Sequence, residues 1–277
     1  MMAQTATWRR LLITGAAGEI GSVIRPALQD TAGSIRLLDK RPIPDAAGAE
    51  VLTGDITDAA LIDEAMVGVD CLFHLAGIPR ETGGSPDEIL EANVIGTHAV
   101  FTAARQHGVK RVIFASSNHV IGFYPAEEPV GPDVPPRPSG FYGASKAYGE
   151  ALARLHADKF GMEVACLRIG AFRARPGNAR ELGAWISHGD MAALARAAVL
   201  APSFHFLVLY GVSANSRAKW GGDQAARAHI GFTPRDNAED WAAELEGKTA
   251  PAGSPAARFH GGSVCEIGFQ GDPDRIV

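Results

Sequence analysis

Cysteine is scarce in this chain: Cys71, Cys166 and Cys265 are the three present, odd in number and far apart. They suit neither a disulfide framework nor the paired CxxC spacing of a thiolate metal site, so a reducing, cytoplasmic setting is expected. Long apolar runs are missing too. Nothing approaches the ~20 consecutive apolar residues of a membrane-spanning helix, and no membrane partner is expected. The apolar run at residues 11–13, preceded by Arg9 and Arg10, is too short for a signal-peptide core and leads straight into a glycine motif, so no leader is expected. Positive charge is in deficit, with 26 Lys and Arg against 31 Asp and Glu and a net charge of −5. The electrostatic footprint of a nucleic-acid binder is therefore absent, and an anionic small substrate would need a local basic group. Internal repeats and low-complexity tracts are lacking. The hydrophobic share of 46 % and charged share of 21 % rule out a disordered chain, and the length allows one large α/β domain or two small ones.

Short apolar runs alternate with longer helical patterns over the first 170 or so residues. Residues 11–14, 35–39, 51–53, 71–75, 111–115 and 163–169 read as strands, each bounded by Gly, Asp or Ser. Between them 20–28, 59–67, 87–107 and 142–160 carry apolar residues at helical spacing. Asp58 is placed to cap the second helix and Gly108 to stop the third. Strand–helix alternation implies a parallel sheet covered on both faces. Beyond residue 170 the pattern loosens: Asp190 is placed to cap a helix running to residue 200, 206–210 reads as a strand, 239–245 as a late helix, and the tail from Thr249 is rich in loops. The expected fold is α/β, a Rossmann-type doubly wound parallel sheet, one domain over 1–277 with substrate-cap elements mainly in 171–277.

The run TGAAGEIG, from Thr14 to Gly21, stands between the first strand and the first helix. Gly15, Gly18 and Gly21 permit a tight turn, close approach of backbone to a pyrophosphate and close helix–strand packing. The N–H groups at Glu19 and Ile20 open the helix, whose positive end suits phosphate. Asp39 ends the second strand, about 20 residues on, where a carboxylate can bond both ribose hydroxyls and would repel a 2′-phosphate; NAD is thus favoured over NADP. Lys40 and Arg41 follow it and are able to accept a phosphate, and Asp39 is equally readable as a solvated strand end. Asp55 and Ile56, after the third strand, suit the adenine edge or a simple turn.

Tyr142 and Lys146 lie at i and i+4 on one helix face. A phenol titrates near pH ~10, and a nearby ammonium stabilises the phenolate and lowers that value. Ser117, which follows the strand at 111–115, is placed to reach the same substrate oxygen. A Tyr–Lys pair of this spacing is otherwise a common surface feature.

The motifs TGAAGEIG, LLD, GDI, HLAG, NVIG, FASSNHVIG and YGASK occur here in the order found in the extended short-chain dehydrogenase/reductase superfamily, which the chain resembles from residue 11 to 146. That resemblance implies a Rossmann sheet, Tyr142 as catalytic base, Lys146 holding both phenolate and nicotinamide ribose, and Ser117 polarising the substrate. It also implies cofactor contacts from Leu75, Ala76, Gly77, Asn93, Ser116, Tyr142, Lys146 and Ile169. Asn93 also reads as a residue that steadies the active site by hydrogen bonding, or as an ordinary polar helix residue. Within the superfamily the chain is similar to the uronate dehydrogenases, which oxidise hexuronic acids at C1 to aldarolactones with NAD. The stretches FASSNHVIGFY, GPDVPPRPSGFY, DKFGMEVACLRIG, WISHGD, GFTP and RFHGG carry that likeness over nearly the whole chain. By it Ser117, Asn118 and His119 contact the sugar and Arg180 binds its carboxylate. Without it, His119 reads as a packed strand-end histidine and Arg180 as one of several solvated loop arginines. Members carry serines where Pro79 and Ala171 stand here, and residues 80–86 look slightly expanded, which leaves the sugar epimer open.

The competing readings are an aldose 1-dehydrogenase, a sugar-nucleotide epimerase or dehydratase, and a non-catalytic NAD sensor. Dehydratases of the superfamily place an Asp-Glu pair where Asn118-His119 stands, and sensors lose the Tyr or Lys that are intact here. His188 and Asp190 supply only two neighbouring ligands, so no metal is expected. A homo-oligomer is expected.

Overall fold

The computed structural model describes residues 8–276. Residues 1–7 and 277, the ends of the expected 1–277 domain and most of the segment read for a leader, lie outside the described residues. The strands are β1 (Trp8–Thr14), β2 (Ala32–Asp39), β3 (Glu50–Thr53), β4 (Cys71–His74), β5 (Arg111–Ser117), β6 (Glu163–Ile169), β7 (Ala171–Phe172), β8 (Trp185–Ile186) and β9 (Phe206–Gly211). The helices are α1 (Glu19–Leu28), α2 (Ala59–Met66), α3 (Pro86–Ile89), α4 (Gly96–Gln106), α5 (Phe141–Phe160), α6 (Glu181–Ala184), α7 (His188–Leu200), α8 (Gln224–Ile230), α9 (Ala242–Leu245) and α10 (Pro255–Arg258).

Seven strands form one sheet in the order β3-β2-β1-β4-β5-β6-β9, with every pair parallel. β4 and β5 are buried at every residue, which is why they read as continuous apolar runs: helices cover both faces. Successive strand residues serve opposite faces. Leu11, Ile13, Phe73 and Ile113 pack against Ile24 and Leu28 of α1 and Met191 and Leu194 of α7. Leu12, Leu72, Val112 and Phe114 pack against Ile62 of α2, Val100 and Phe101 of α4 and Leu152 and Ala153 of α5. The strand order turns back between β1 and β4. A crevice opens there at the carboxyl ends, where doubly wound sheets bind ligands.

The expected caps hold at two places. The Asp58 carboxylate accepts from the Ala60 and Leu61 N–H groups at 3.0 and 3.2 Å, and Gly108, at φ +69°, follows α4 in the left-handed region. Elsewhere the boundaries differ. β1 and β2 start earlier than the apolar signal, since Arg9 at the amino end of β1 is tied to Asp70 at 2.8 Å and needs no apolar surroundings. β4 stops before Leu75, while β5 runs on to Ser117, paired with Ile169 of β6. The helix expected over 87–107 is continuous but adopts π geometry across Leu90–Ile95, a form often found beside functional sites. Asp190 is not the cap of α7: the Ser187 hydroxyl accepts from the Asp190 N–H at 2.9 Å. The Asp190 carboxylate instead holds the turn at the Arg235 and Asp236 N–H groups, at 2.9 and 3.1 Å. The late helix expected over 239–245 divides into a 3-10 turn, Ala238–Trp241, and α9. The short elements β7, β8, α6 and α8 had no signal in the sequence. No helix among the described residues is long and apolar enough to cross a membrane.

Candidate active site

A cleft of about 1460 Å³ runs along the carboxyl ends of the strands. Gly15 (φ +73°) turns the chain beneath it, and a Cβ there would lie 2.6 Å from the Ala76 nitrogen, so only glycine lets β1 and the turn after β4 approach this closely. Gly18 is the N-cap of α1 and has no side chain to satisfy the first-turn N–H groups, which leaves them for an anion. The Asp39 carboxylate accepts from the Ala17 and Arg41 N–H groups, both at 2.9 Å, and lines the cleft with lone pairs to spare. The neighbouring cations are partnered: Arg41 Nε lies 3.5 Å from Asp39 and Lys40 Nζ 3.8 Å from Asp55. Ile56, Leu75, Ala76, Gly77 and Ile169 complete the wall. This arrangement fits a dinucleotide, with an acidic ribose end and a helix amino terminus for the pyrophosphate.

Two cofactor expectations are placed differently. Asn93 is buried behind the wall: its side-chain carbonyl accepts from the Ile78 N–H at 2.7 Å, and its amide donates to the Ile78 carbonyl at 3.0 Å and to Ser145 Oγ at 3.1 Å. Its polar atoms face protein, tied to Ile78 and Ser145. Ser116 lines the cleft, but its hydroxyl donates to Glu150 at 2.5 Å, so its backbone is the part left for a ligand.

α5 brings the acid/base pair to the cleft. It lies against β5 and the turn beyond it; a Cβ on Gly143 would be 2.4 Å from the His119 carbonyl oxygen. Lys146 Nζ stands 5.1 Å from the Phe114 ring centroid and 5.7 Å from that of Tyr142. Burial drives the Tyr142 phenol up to about 12, and the hydrogen bond from Ser117 works in the opposite sense. Lys146 is buried as well, and loss of water lowers its ammonium to about 8.

The substrate end is built on the 3-10 turn Asn118–Ile121. Ser117 Oγ accepts from the His119 N–H at 3.2 Å and lies 3.5 Å from the Asn118 side-chain oxygen. His119 Nδ1 is 2.8 Å from Ser139 Oγ, and the ring meets Tyr142 edge-on at 6.0 Å. Burial, then the charge of Arg180, pushes His119 down to about 3, so it is neutral. Arg180 Nε donates to the His260 carbonyl at 2.6 Å, while its Nη2 is buried without a partner. Burial pushes the guanidinium pKa down, with the charge of Glu181 opposing it, and a buried cationic donor left without a hydrogen-bond partner suits an anion. Pro79 and Ala171 both line the cleft. No group of three or more His, Cys, Asp or Glu side chains able to hold a metal occurs among the described residues. Sequence reasoning passed over Glu81, Ser139 and His260, whose partners are remote in the chain.

Residues 11–187 match the model of the NAD dependent epimerase/dehydratase family. The chain belongs to that family. Among its relatives, the uronate dehydrogenase of Pseudomonas putida is 40 % identical over 95 % of this chain and 98 % of its own. Among solved structures, a mutant uronate dehydrogenase from Agrobacterium tumefaciens complexed with NAD superimposes with a TM-score of 0.85, at 41 % identity over 94 % of this chain and 98 % of that one. The glucuronic acid dehydrogenase of Chromohalobacter salexigens gives a TM-score of 0.87, at 38 % identity over 96 % and 99 %. This family member therefore carries the uronate dehydrogenase likeness well past the Rossmann core, into the segments that bear Arg180 and His260.

Proposed function

We propose that this chain catalyses the NAD-dependent oxidation of a hexuronic acid, galacturonate or glucuronate, at C1 to the aldarolactone. The observation that carries the substrate class is the buried, unpartnered Nη2 of Arg180 in the same cleft as Tyr142 and Ser117. A sugar carboxylate satisfies that donor, and a guanidinium matches it with paired N–H groups. His119, neutral and tied through Nδ1 to Ser139, keeps Nε2 for a sugar hydroxyl. Asn118 lies beside it. NAD⁺, when bound, would supply the hydride acceptor and a positive charge. Asp39 would hold its adenosine ribose, the glycine turn and the amino end of α1 its pyrophosphate, and Lys146 its nicotinamide ribose. Ser117 hydrogen-bonds the C1 oxygen, and Tyr142 takes the C1 hydroxyl proton as the lactone carbonyl forms. The segments after residue 170, with Arg180 and the 260–262 turn, form the cap over the sugar.

A cytoplasmic homo-oligomer belongs to the same reading. Its support is three buried, unpaired thiols and the exposed Leu90 and Ile95 on the π stretch between α3 and α4.

The test is Tyr142→Phe, assayed with galacturonate and glucuronate by NADH formation. NAD binding is expected to persist and kcat to fall by roughly 10²–10⁴-fold. Near-normal kcat would remove Tyr142 from the mechanism, and a wild type that favours neutral aldoses would overturn the substrate class.

A further inference from the structure

α5 starts at Gly140, a cap position with extended backbone and no side chain to receive the first-turn N–H groups. Two of those donors are nevertheless satisfied. Glu81, in the 3-10 turn Glu81–Gly83 beyond β4, reaches across and accepts from the Phe141 N–H at 3.0 Å and the Tyr142 N–H at 2.8 Å, one with each carboxylate oxygen. A Cβ on residue 140 would sit 2.4 Å from that carboxylate, so the glycine keeps the approach open. A carboxylate at a helix amino terminus answers both the orphaned donors and the positive end of the dipole.

The same loop holds Tyr142 from a second side. Ser145 Oγ donates to the Tyr142 carbonyl at 2.7 Å and receives the Asn93 amide at 3.1 Å; Asn93 in turn grips both polar backbone groups of Ile78. The N–H and the C=O of Tyr142 are thus both referred to residues 78–81. That loop also lines the cleft, and Arg80 lies 3.6 Å from Glu19 at the amino end of α1. One short segment therefore touches the amino ends of both the phosphate helix and the tyrosine helix.

We propose that Glu81 is a positioning residue for the reaction, fixing the backbone of Tyr142 and linking its placement to the loop that walls the cofactor cleft. The inference rests on the acid/base reading of Tyr142, and a double-mutant cycle on Glu81 and Tyr142 separates the two. Glu81→Ala is expected to lower kcat by ~10–100-fold, the scale of a small misplacement of a reacting group, with the NAD dissociation constant, read by tryptophan fluorescence, held within ~3-fold. Glu81→Gln keeps the shape and one acceptor, folds if Ala does not, and should fall between Ala and wild type. In a Tyr142→Phe background, measured at high enzyme concentration, either Glu81 change should cost less than ~2-fold, because the residue acts through the phenol. Undiminished kcat in both Glu81 variants overturns the proposal. So does an equal loss with or without the phenol, or a weakening of NAD binding in step with kcat. If Tyr142→Phe itself keeps wild-type turnover, the acid/base reading fails and takes the inference with it. If Tyr142→Phe is inactive while the Glu81 variants turn over normally, the inference alone falls.

Discussion

Removing Arg180 should separate charged from neutral substrates. The guanidinium spends Nε on the His260 carbonyl at 2.6 Å and keeps a buried Nη2 free, so a bound carboxylate gains a donor that water does not reach. A hydrogen bond to a charged group contributes about 1.5–3 kcal/mol. At about 1.4 kcal/mol per tenfold change, its loss in Arg180→Ala lowers kcat/KM for galacturonate or glucuronate by ~10–150-fold. Arg180→Lys retains the charge but not the paired planar donors, and should recover only part of that loss. The matched controls are galactose and glucose, followed by NADH absorbance at substrate concentrations below KM. Their turnover, however slow in the wild type, should change by less than ~2-fold, since the donor faces the carboxylate alone. The stem of Arg180 also packs under the 260–262 turn, where a Cβ on Gly262 would meet its Cδ at 2.4 Å. An equal fall for acids and neutral sugars would therefore mean that Arg180 only supports that turn, and the carboxylate assignment would be refuted.

Asp39→Ala should narrow the preference for NAD⁺ over NADP⁺ in kcat/KM, by losing a ribose bond and a repulsion together; an unchanged ratio would place the ribose elsewhere. Ser117→Ala removes the hydrogen bond that lowers the Tyr142 phenol; since Tyr142 acts as base in its deprotonated form, the rising acidic limb of the kcat profile should shift to higher pH. A profile that stays in place would detach Ser117 from the titrating group.

Local signals were legible in the sequence where the physics is local. Asp58 caps the helix it precedes and Gly108 follows the one it stops, because both act within a turn of their own position. The alternating short runs carried the parallel sheet, since strands buried on both faces have to be apolar throughout. Asp190 misled because Asp is a good cap in general, whereas here Ser187 stands closer to the helix start and leaves Asp190 to serve a turn more than 40 residues away. The π stretch has no residue signature, and Asn93 within it faces protein. Ser117, Tyr142 and Lys146 were found through their fixed spacing on one strand and one helix. Glu81 escaped notice because its two partners lie some 60 residues further on, and an acidic residue in a Gly-rich loop gives no hint of a distant helix end. The i, i+4 spacing reveals the lysine beside the phenol but not the burial of both groups.

The burial of the cysteines gives the molecule internal reporters of its own opening. Cys71 lies in β4, Cys166 in β6, and Cys265 behind the sugar end, where its Sγ faces the Gly122 carbonyl at 3.5 Å. Burial raises all three thiols, Cys71 and Cys265 to about 12, so the reactive thiolate is scarce and alkylation waits on local unfolding. The two sheet thiols record breathing of the central scaffold, and the third records lifting of the C-terminal segment. Their labelling rates therefore read the opening of the central sheet and of the C-terminal segment separately.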